Sequence, residues 1–114
     1  MGKVKVNEKT LVMALSARCH YCVSSVLLYK RLQESRSLRE GKANLVALFP
    51  EDQVTVDDFM AEHDLHFTAI SNANIFRAGV SGTPTFVLFS AGKVEMTKGF
   101  LSDSLANKLV EQFN

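Results

Sequence analysis

The sequence predicts an α/β chain: a central mixed sheet of four or five strands with helices on both faces. Three observations carry this. Short apolar runs at residues 10–16 and 43–49 alternate with segments of helical periodicity, as strand–helix–strand crossovers require. The aromatic and β-branched run Thr85-Phe86-Val87-Leu88-Phe89 leads through Ala91-Gly92 into residues 93–100, which reads as a hairpin. Leu105, Leu109 and Phe113 recur at i, i+4 and i+8, marking one face of a last helix.

Taken in order, residues 10–16 form a buried strand, short, apolar and bounded by polar residues. From His20 to about Leu38 the pattern is helical, with Val23, Val26, Leu27 and Leu32 on one face and Gly41 as a stop just beyond. Residues 43–49 are a second strand ended by Pro50. Thr55 then caps a helix whose first turn holds Asp57 and Asp58, where the helix dipole favours acids; it carries Phe59 and Met60 and ends near Asp64. Residues 67–70 are a short extended piece, and residues 74–78 two turns of helix stopped by Gly79. After the hairpin, Ser102 or Asp103 caps the final helix, and Phe86, Phe89, Leu105 and Leu109 are assigned to the core. The order is β-α-β-α-β-β-α with a short extra helix before the third strand. Two crossovers imply parallel strands, and the hairpin makes the sheet mixed.

At 114 residues the chain suits a single domain with one modest core, residues 1–9 standing apart as a lead. Thirteen basic and twelve acidic side chains leave a formal charge of +1, so no strong field draws the chain to nucleic acid or a membrane surface. Its apolar runs fall short of the ~20 residues of a spanning helix, so insertion into a membrane is not expected. Residues 1–10 lack the apolar segment of a secretory signal. That places the chain in the cytoplasm if it is full length, and outside it, in a periplasm, if it is a mature or excised domain.

The only two cysteines stand together as Cys19-His20-Tyr21-Cys22, between the apolar run Leu11-Val12-Met13-Ala14-Leu15 and the helical pattern. Such spacing cannot staple distant segments. At the start of a helix, backbone N–H groups and the macrodipole favour thiolate at Cys19. Cys22, one turn on, is close enough to close a small disulfide ring. The pair therefore reads as a two-electron redox centre.

This pair at the end of the first strand, with Gly82-Thr83-Pro84-Thr85 opening the third, resembles the thioredoxin fold. Residues 65–89 look most like the TlpA and ResA type of thiol–disulfide oxidoreductase. In that type a short helix leads to a Gly-Thr-Pro-Thr strand, a Gly-Lys turn and a closing strand; here these read Ala78-Gly79-Val80-Ser81-Gly82-Thr83-Pro84-Thr85-Phe86-Val87-Leu88, Gly92-Lys93-Val94 and Gly99. The resemblance covers nearly the whole chain from Thr10. It implies a cis Pro84 lying against the cysteine pair, and a Thr83 backbone facing outward to pair with an extended substrate. It also implies exchange with a protein thiol or disulfide, an upstream redox partner, a monomeric chain and no cofactor. The sequence departs from the type at several places. Ala17-Arg18 stand where an aromatic residue usually precedes the first cysteine, and His20-Tyr21 where many members carry a proline. Met13 and Ser25 stand where thioredoxin proper and the TlpA/ResA type, respectively, keep an acid. The usual proton acceptor for Cys22 is missing, and the N-terminal hairpin is absent or reduced to residues 3–7.

Other readings were weighed on the same residues. Cys19, Cys22, His63 and His66 supply four ligands of zinc-compatible type, although the histidines fall after the second helix, away from the pair. His20 either lowers the pKa of Cys19 as an imidazolium or is an exposed helix-start side chain. Tyr21 covers the surface beside the motif and offers substrate an apolar contact, and Arg18 adds positive potential or is simply solvated. A peroxiredoxin-like site needs a proline and a threonine ahead of the cysteine that residues 12–19 lack. The expected function is thiol–disulfide exchange with Cys19 as nucleophile, Cys22 as resolving thiol, and Thr83, Pro84, His20 and Tyr21 at the substrate. The alternative is a peptide-binding or redox-sensing module with little turnover.

Overall fold

The protein is described by a computed structural model covering residues 9–77 and 79–114; the expectation that the N-terminal hairpin is absent or reduced to residues 3–7 falls outside them. Five strands pair in one sheet: β1 (Lys9–Ala14), β2 (Ala43–Leu48), β3 (Thr68–Ile70), β4 (Thr85–Ser90) and β5 (Lys93–Lys98). Their order across the sheet is β3-β2-β1-β4-β5. The first three are parallel, β4 runs antiparallel to β1, and β5 closes the hairpin. The extended piece at residues 67–70 thus supplies a fifth strand. Ala91 and Gly92 both take positive φ, 50° and 78°, as a two-residue type I′ hairpin turn demands.

The helices are α1 (His20–Ser24), α2 (Val26–Gln33), α3 (Arg36–Arg39), α4 (Gln53–Glu62) and α5 (Asp103–Phe113). The single helix expected over 20–38 is therefore three pieces. Ser25 interrupts the first junction, where its hydroxyl donates to the Tyr21 carbonyl at 2.7 Å, a local bond that competes with regular helix. Ser35 restarts the chain as an N-cap, accepting from the Leu38 N–H. The break shifts the helical phase. Leu28, Tyr29 and Leu32 are buried, whereas Val23 and Leu27, expected on the inner face, are exposed. Asp52, not Thr55, caps α4 by accepting from the Thr55 N–H at 2.9 Å, so that helix begins most of a turn earlier than expected.

Alternation along the strands builds two clusters of unequal size. Leu11 and Met13 of β1, Leu45 and Ala47 of β2, and Phe86 and Leu88 of β4 share one face with residues of α2, α4 and α5. The crossovers from β1 to β2 and from β2 to β3 step the same way across the sheet, so right-handed connections put both on that face. Ala14 and Leu48 turn to the other face and meet Ala73, Ile75 and Val80. The helical cover expected on both faces is thus uneven. Residues 75–77, read from sequence as part of a short helix, form turns; Ala78 lies outside the described residues. Phe89 is three residues from Phe86, so the period of two sends it to the thinly covered face, exposed and not core. Leu105 is also exposed; Leu101, ahead of the α5 N-cap Ser102, takes the buried place at that end.

Candidate active site

The site lies where β1 and β2, parallel neighbours, release the chain at their carboxyl ends, the usual location of sites in such sheets. Leaving β1, Leu15 donates its N–H to the Leu48 carbonyl at 2.9 Å, and Cys19 donates to the Ser16 carbonyl at 3.1 Å. This turn delivers Cys19 to the N-cap position of α1 in extended conformation, with φ −88° and ψ 120°. A cap residue normally offers an oxygen to the free N–H groups of the first turn. Here the Cys19 Sγ does so, accepting from the Cys22 N–H at 3.3 Å. Its thiol also donates to the Thr83 carbonyl at 3.4 Å.

Thr83 thus comes to the cysteines from the loop before β4, sixty-four residues along the chain. The Thr83–Pro84 bond is cis, and Pro84 is fully buried. Thr85 anchors the same loop by donating to the Gly82 carbonyl at 2.7 Å, and Gly99 donates to the Pro84 carbonyl at 2.8 Å.

The two thiols sit in different environments. Cys19 is half-buried and Cys22 has no exposed surface. Partial burial opposes ionisation of Cys19, but the Cys22 thiol, Thr83 and the backbone N–H groups of Cys22 and Tyr21 outweigh it and lower its pKa below the ordinary 9.0. Burial acts on Cys22 and the neighbouring Cys19 adds to it; hydrogen bonds with Ser16 and Thr83 oppose this only in part, and its pKa is pushed up to about 12. One sulfur is set up to be a thiolate, and the other to stay protonated.

His20 and Tyr21 are adjacent on the exposed side of α1, their rings edge to face with centroids 5.6 Å apart. The hydrogen bonds that lower the Cys19 pKa against its burial come from Cys22, Thr83 and the Tyr21 N–H, and the imidazole is not among them. Tyr21 leans on Phe100, centroids 6.2 Å apart, and both rings are more than half exposed. Phe100 was not singled out in the sequence; the signal was Gly99, whose φ of 82° turns the chain beside Pro84.

Glu51, also overlooked, lies three residues past the end of β2. Its carboxylate accepts from the Ser16 hydroxyl at 2.6 Å and from the Ala17 N–H at 3.0 Å, while the Arg18 N–H donates to the Ser16 Oγ at 3.2 Å. One acid therefore ties down the loop that carries Cys19. His63 and His66 do not join the site. His63 packs its ring on Phe59 at 4.6 Å and pairs with Glu62, and His66 pairs with Asp64. Among the described residues, no three His, Cys, Asp or Glu side chains are gathered as a metal site, so the four-ligand zinc set is not assembled.

No family model and no curated protein matches the sequence. Solved structures do match. A secreted Mycobacterium tuberculosis disulfide oxidoreductase, homologous to Escherichia coli DsbE, superposes with a TM-score of 0.76 at 14% identity, over 96% of this chain and 82% of its own. StoA from Bacillus subtilis gives 0.73 at 17% identity, over 95% and 84%. A thiol:disulfide interchange protein of the thioredoxin family from Chlorobium tepidum gives 0.73 at 16%, over 92% and 79%. The chain therefore has the thioredoxin fold, and its structural neighbours are thiol–disulfide oxidoreductases.

Proposed function

We propose that this chain is a thiol–disulfide oxidoreductase acting on protein substrates. The observation that carries the reading is the asymmetry of the pair: Cys19 is partly open, N-capping and held toward thiolate, while Cys22 is sealed and held toward thiol. Attack by the Cys19 thiolate on a substrate disulfide forms the Cys19–substrate bond and releases the substrate's second sulfur as thiolate. Cys22 then attacks Cys19, closes the Cys19–Cys22 disulfide and frees the substrate thiol. A second redox partner returns the pair to its dithiol state. Read backwards, the same steps oxidise a dithiol.

In this reading the Thr83 backbone beside Pro84 aligns an extended substrate segment next to Cys19, and Tyr21, with Phe100, offers it apolar contact. His20 borders the same opening. The chemistry needs no cofactor, because thiolate stabilisation and sulfur alignment do the work. The chain acts as one monomeric domain. Among the described residues no helix is long and apolar enough to cross a membrane.

Cys19→Ser is expected to abolish disulfide exchange with a protein substrate, and Cys22→Ser to accumulate a covalent adduct that releases only on adding reductant. Full exchange by Cys19→Ser ends this assignment. The rival reading, a binding module with idle thiols, draws on the absence of an acid from Met13 and Ser25. It predicts peptide binding unaffected by substituting either cysteine.

A further inference from the structure

Tyr29 is the largest of the fully buried side chains, and its hydroxyl is the one buried side-chain oxygen or nitrogen among the described residues without a hydrogen-bond partner. Native interiors rarely leave such a group unsatisfied, and each instance asks for a reason. Packing supplies none, since a phenylalanine would fill the same space without burying a hydroxyl. Aromatic neighbours fix the ring: Phe67 edge-on with centroids 6.5 Å apart, and Phe86 tilted at 6.4 Å.

What the hydroxyl faces is informative. Tyr29 stands one turn after Ser25, whose carbonyl accepts its N–H at 3.2 Å, so its side chain leans back toward the junction of α1 and α2, and it shares the main core cluster with Cys22. Its oxygen accordingly lies close enough to the Ser25 hydroxyl and the Cys22 thiol for both to act on its proton, with Cys19 beyond, yet none of them completes a well-formed hydrogen bond to it in the dithiol state. Ser25 is itself buried, its proton committed to the Tyr21 carbonyl. It also lines a cleft of about 320 Å³ that reaches the surface between Leu27, Arg31 and Phe100.

We propose that the Tyr29 hydroxyl is a positioning residue for the second half of the exchange, donating a hydrogen bond to the Cys22 sulfur as it becomes a thiolate. The proposal rests on the exchange reaction assigned to the pair. In that step the Cys22 S–H proton leaves, and the sulfur attacks Cys19 Sγ. The Cys19–substrate S–S bond breaks, the departing sulfur takes its electron pair, and the proton ends on that sulfur through solvent. Tyr29 loses nothing overall. Burial first, then the Cys22 charge, raise its own proton affinity, so it remains a donor and never serves as the base. A donor with no well-formed partner in the dithiol state, and a charged one once Cys22 ionises, favours the reacting form over the resting one. The titratable groups facing the hydroxyl are Cys22 and Cys19; Phe67 and Phe86, packed on the ring, carry no charge.

The test loads Cys19 with a thionitrobenzoate group from the aromatic disulfide reagent and times the second release of chromophore, which reports attack by Cys22. Tyr29→Phe keeps the ring, and its thermal unfolding is compared with the parent's to establish that it folds. A hydrogen bond to a charged sulfur predicts a second release slowed about tenfold to a hundredfold and a rate–pH line displaced upward by about one unit or more. The first release, made by Cys19, should be unchanged. Should Tyr29→Phe unfold, 3-fluorotyrosine at position 29, a stronger donor of nearly the same shape, replaces it and should speed the second release. A second release changed by less than about threefold, with its pH line in place, overturns the proposal. A parent chain that fails to exchange with any protein disulfide, yet shows the Tyr29 effect on the chromophore, refutes the proposed function and leaves this hydrogen bond standing.

Discussion

The sharpest expectation concerns which thiol reacts first. With Cys22 raised to about 12 against an ordinary thiol at 9.0, the ionised fraction of Cys22 at pH 8 is about a thousandfold below that of a free cysteine. Cys19, lowered from 9.0, is ionised to more than about a tenth at the same pH. One effect opposes this: a thiolate of higher pKa is the better nucleophile, with a Brønsted slope near ~0.45, which returns about twentyfold to Cys22 over three units. Ionisation wins: even an ordinary thiol at 9.0 would react about fortyfold faster than Cys22, before the steric sealing of Cys22 is counted. Pulsed alkylation of the dithiol protein near pH 8, quenched in acid and mapped by peptide mass spectrometry, reads the ratio directly. Comparable labelling of the two sulfurs, or Cys22 labelled first, refutes the asymmetry on which the mechanism stands.

Three further outcomes follow from the same coordinates. The folded state holds the Cys22 proton more tightly than the unfolded chain does, so its contribution is complete below about pH 9 and is lost as pH rises toward 12; denaturant midpoints should fall over that window in the parent and much less in Cys22→Ala. Glu51→Ala removes both acceptors from the loop at Ser16 and Ala17, and for a half-buried carboxylate should cost about 1–3 kcal/mol in urea titrations, with Cys19 alkylation slowed; unchanged stability would show that the loop holds itself. Ala91→Gly relieves a left-handed alanine at φ 50°, a gain of about 1–2 kcal/mol that exceeds the ~0.5–1 kcal/mol entropic cost of glycine, so the urea midpoint should rise slightly.

The paired cysteines and the Gly-Thr-Pro-Thr turn were legible in the chain because their chemistry is local: two sulfurs one turn apart and an imide at a strand entrance. The strands of the main sheet were legible for the same reason, as short apolar runs between polar residues. What escaped depends on neighbours. Phe89 looked like core by composition, and only its parity with Phe86 shows that it faces away. Leu27 fitted the helical stripe until Ser25 broke the helix and rotated the following turn. Glu51 reads as an ordinary surface acid after Pro50, and becomes the tether of the cysteine loop only when β1 and β2 end side by side. Tyr29 was not singled out in the sequence; the meaning of its oxygen depends on Cys22, which lies across the break at Ser25 and joins it in one core cluster. The extra helix before β4 failed because residues 75–77 had apolar content but too few turns to hold a helix against the thinly covered face.

Only one sulfur of the couple breaks the surface. In the proposed exchange, whatever supplies electrons and whatever takes them visit the same atom in turn, and each visitor departs before the next docks. Two-substrate kinetics should therefore give parallel double-reciprocal lines, and either visitor in excess should compete with the other for a single parking place.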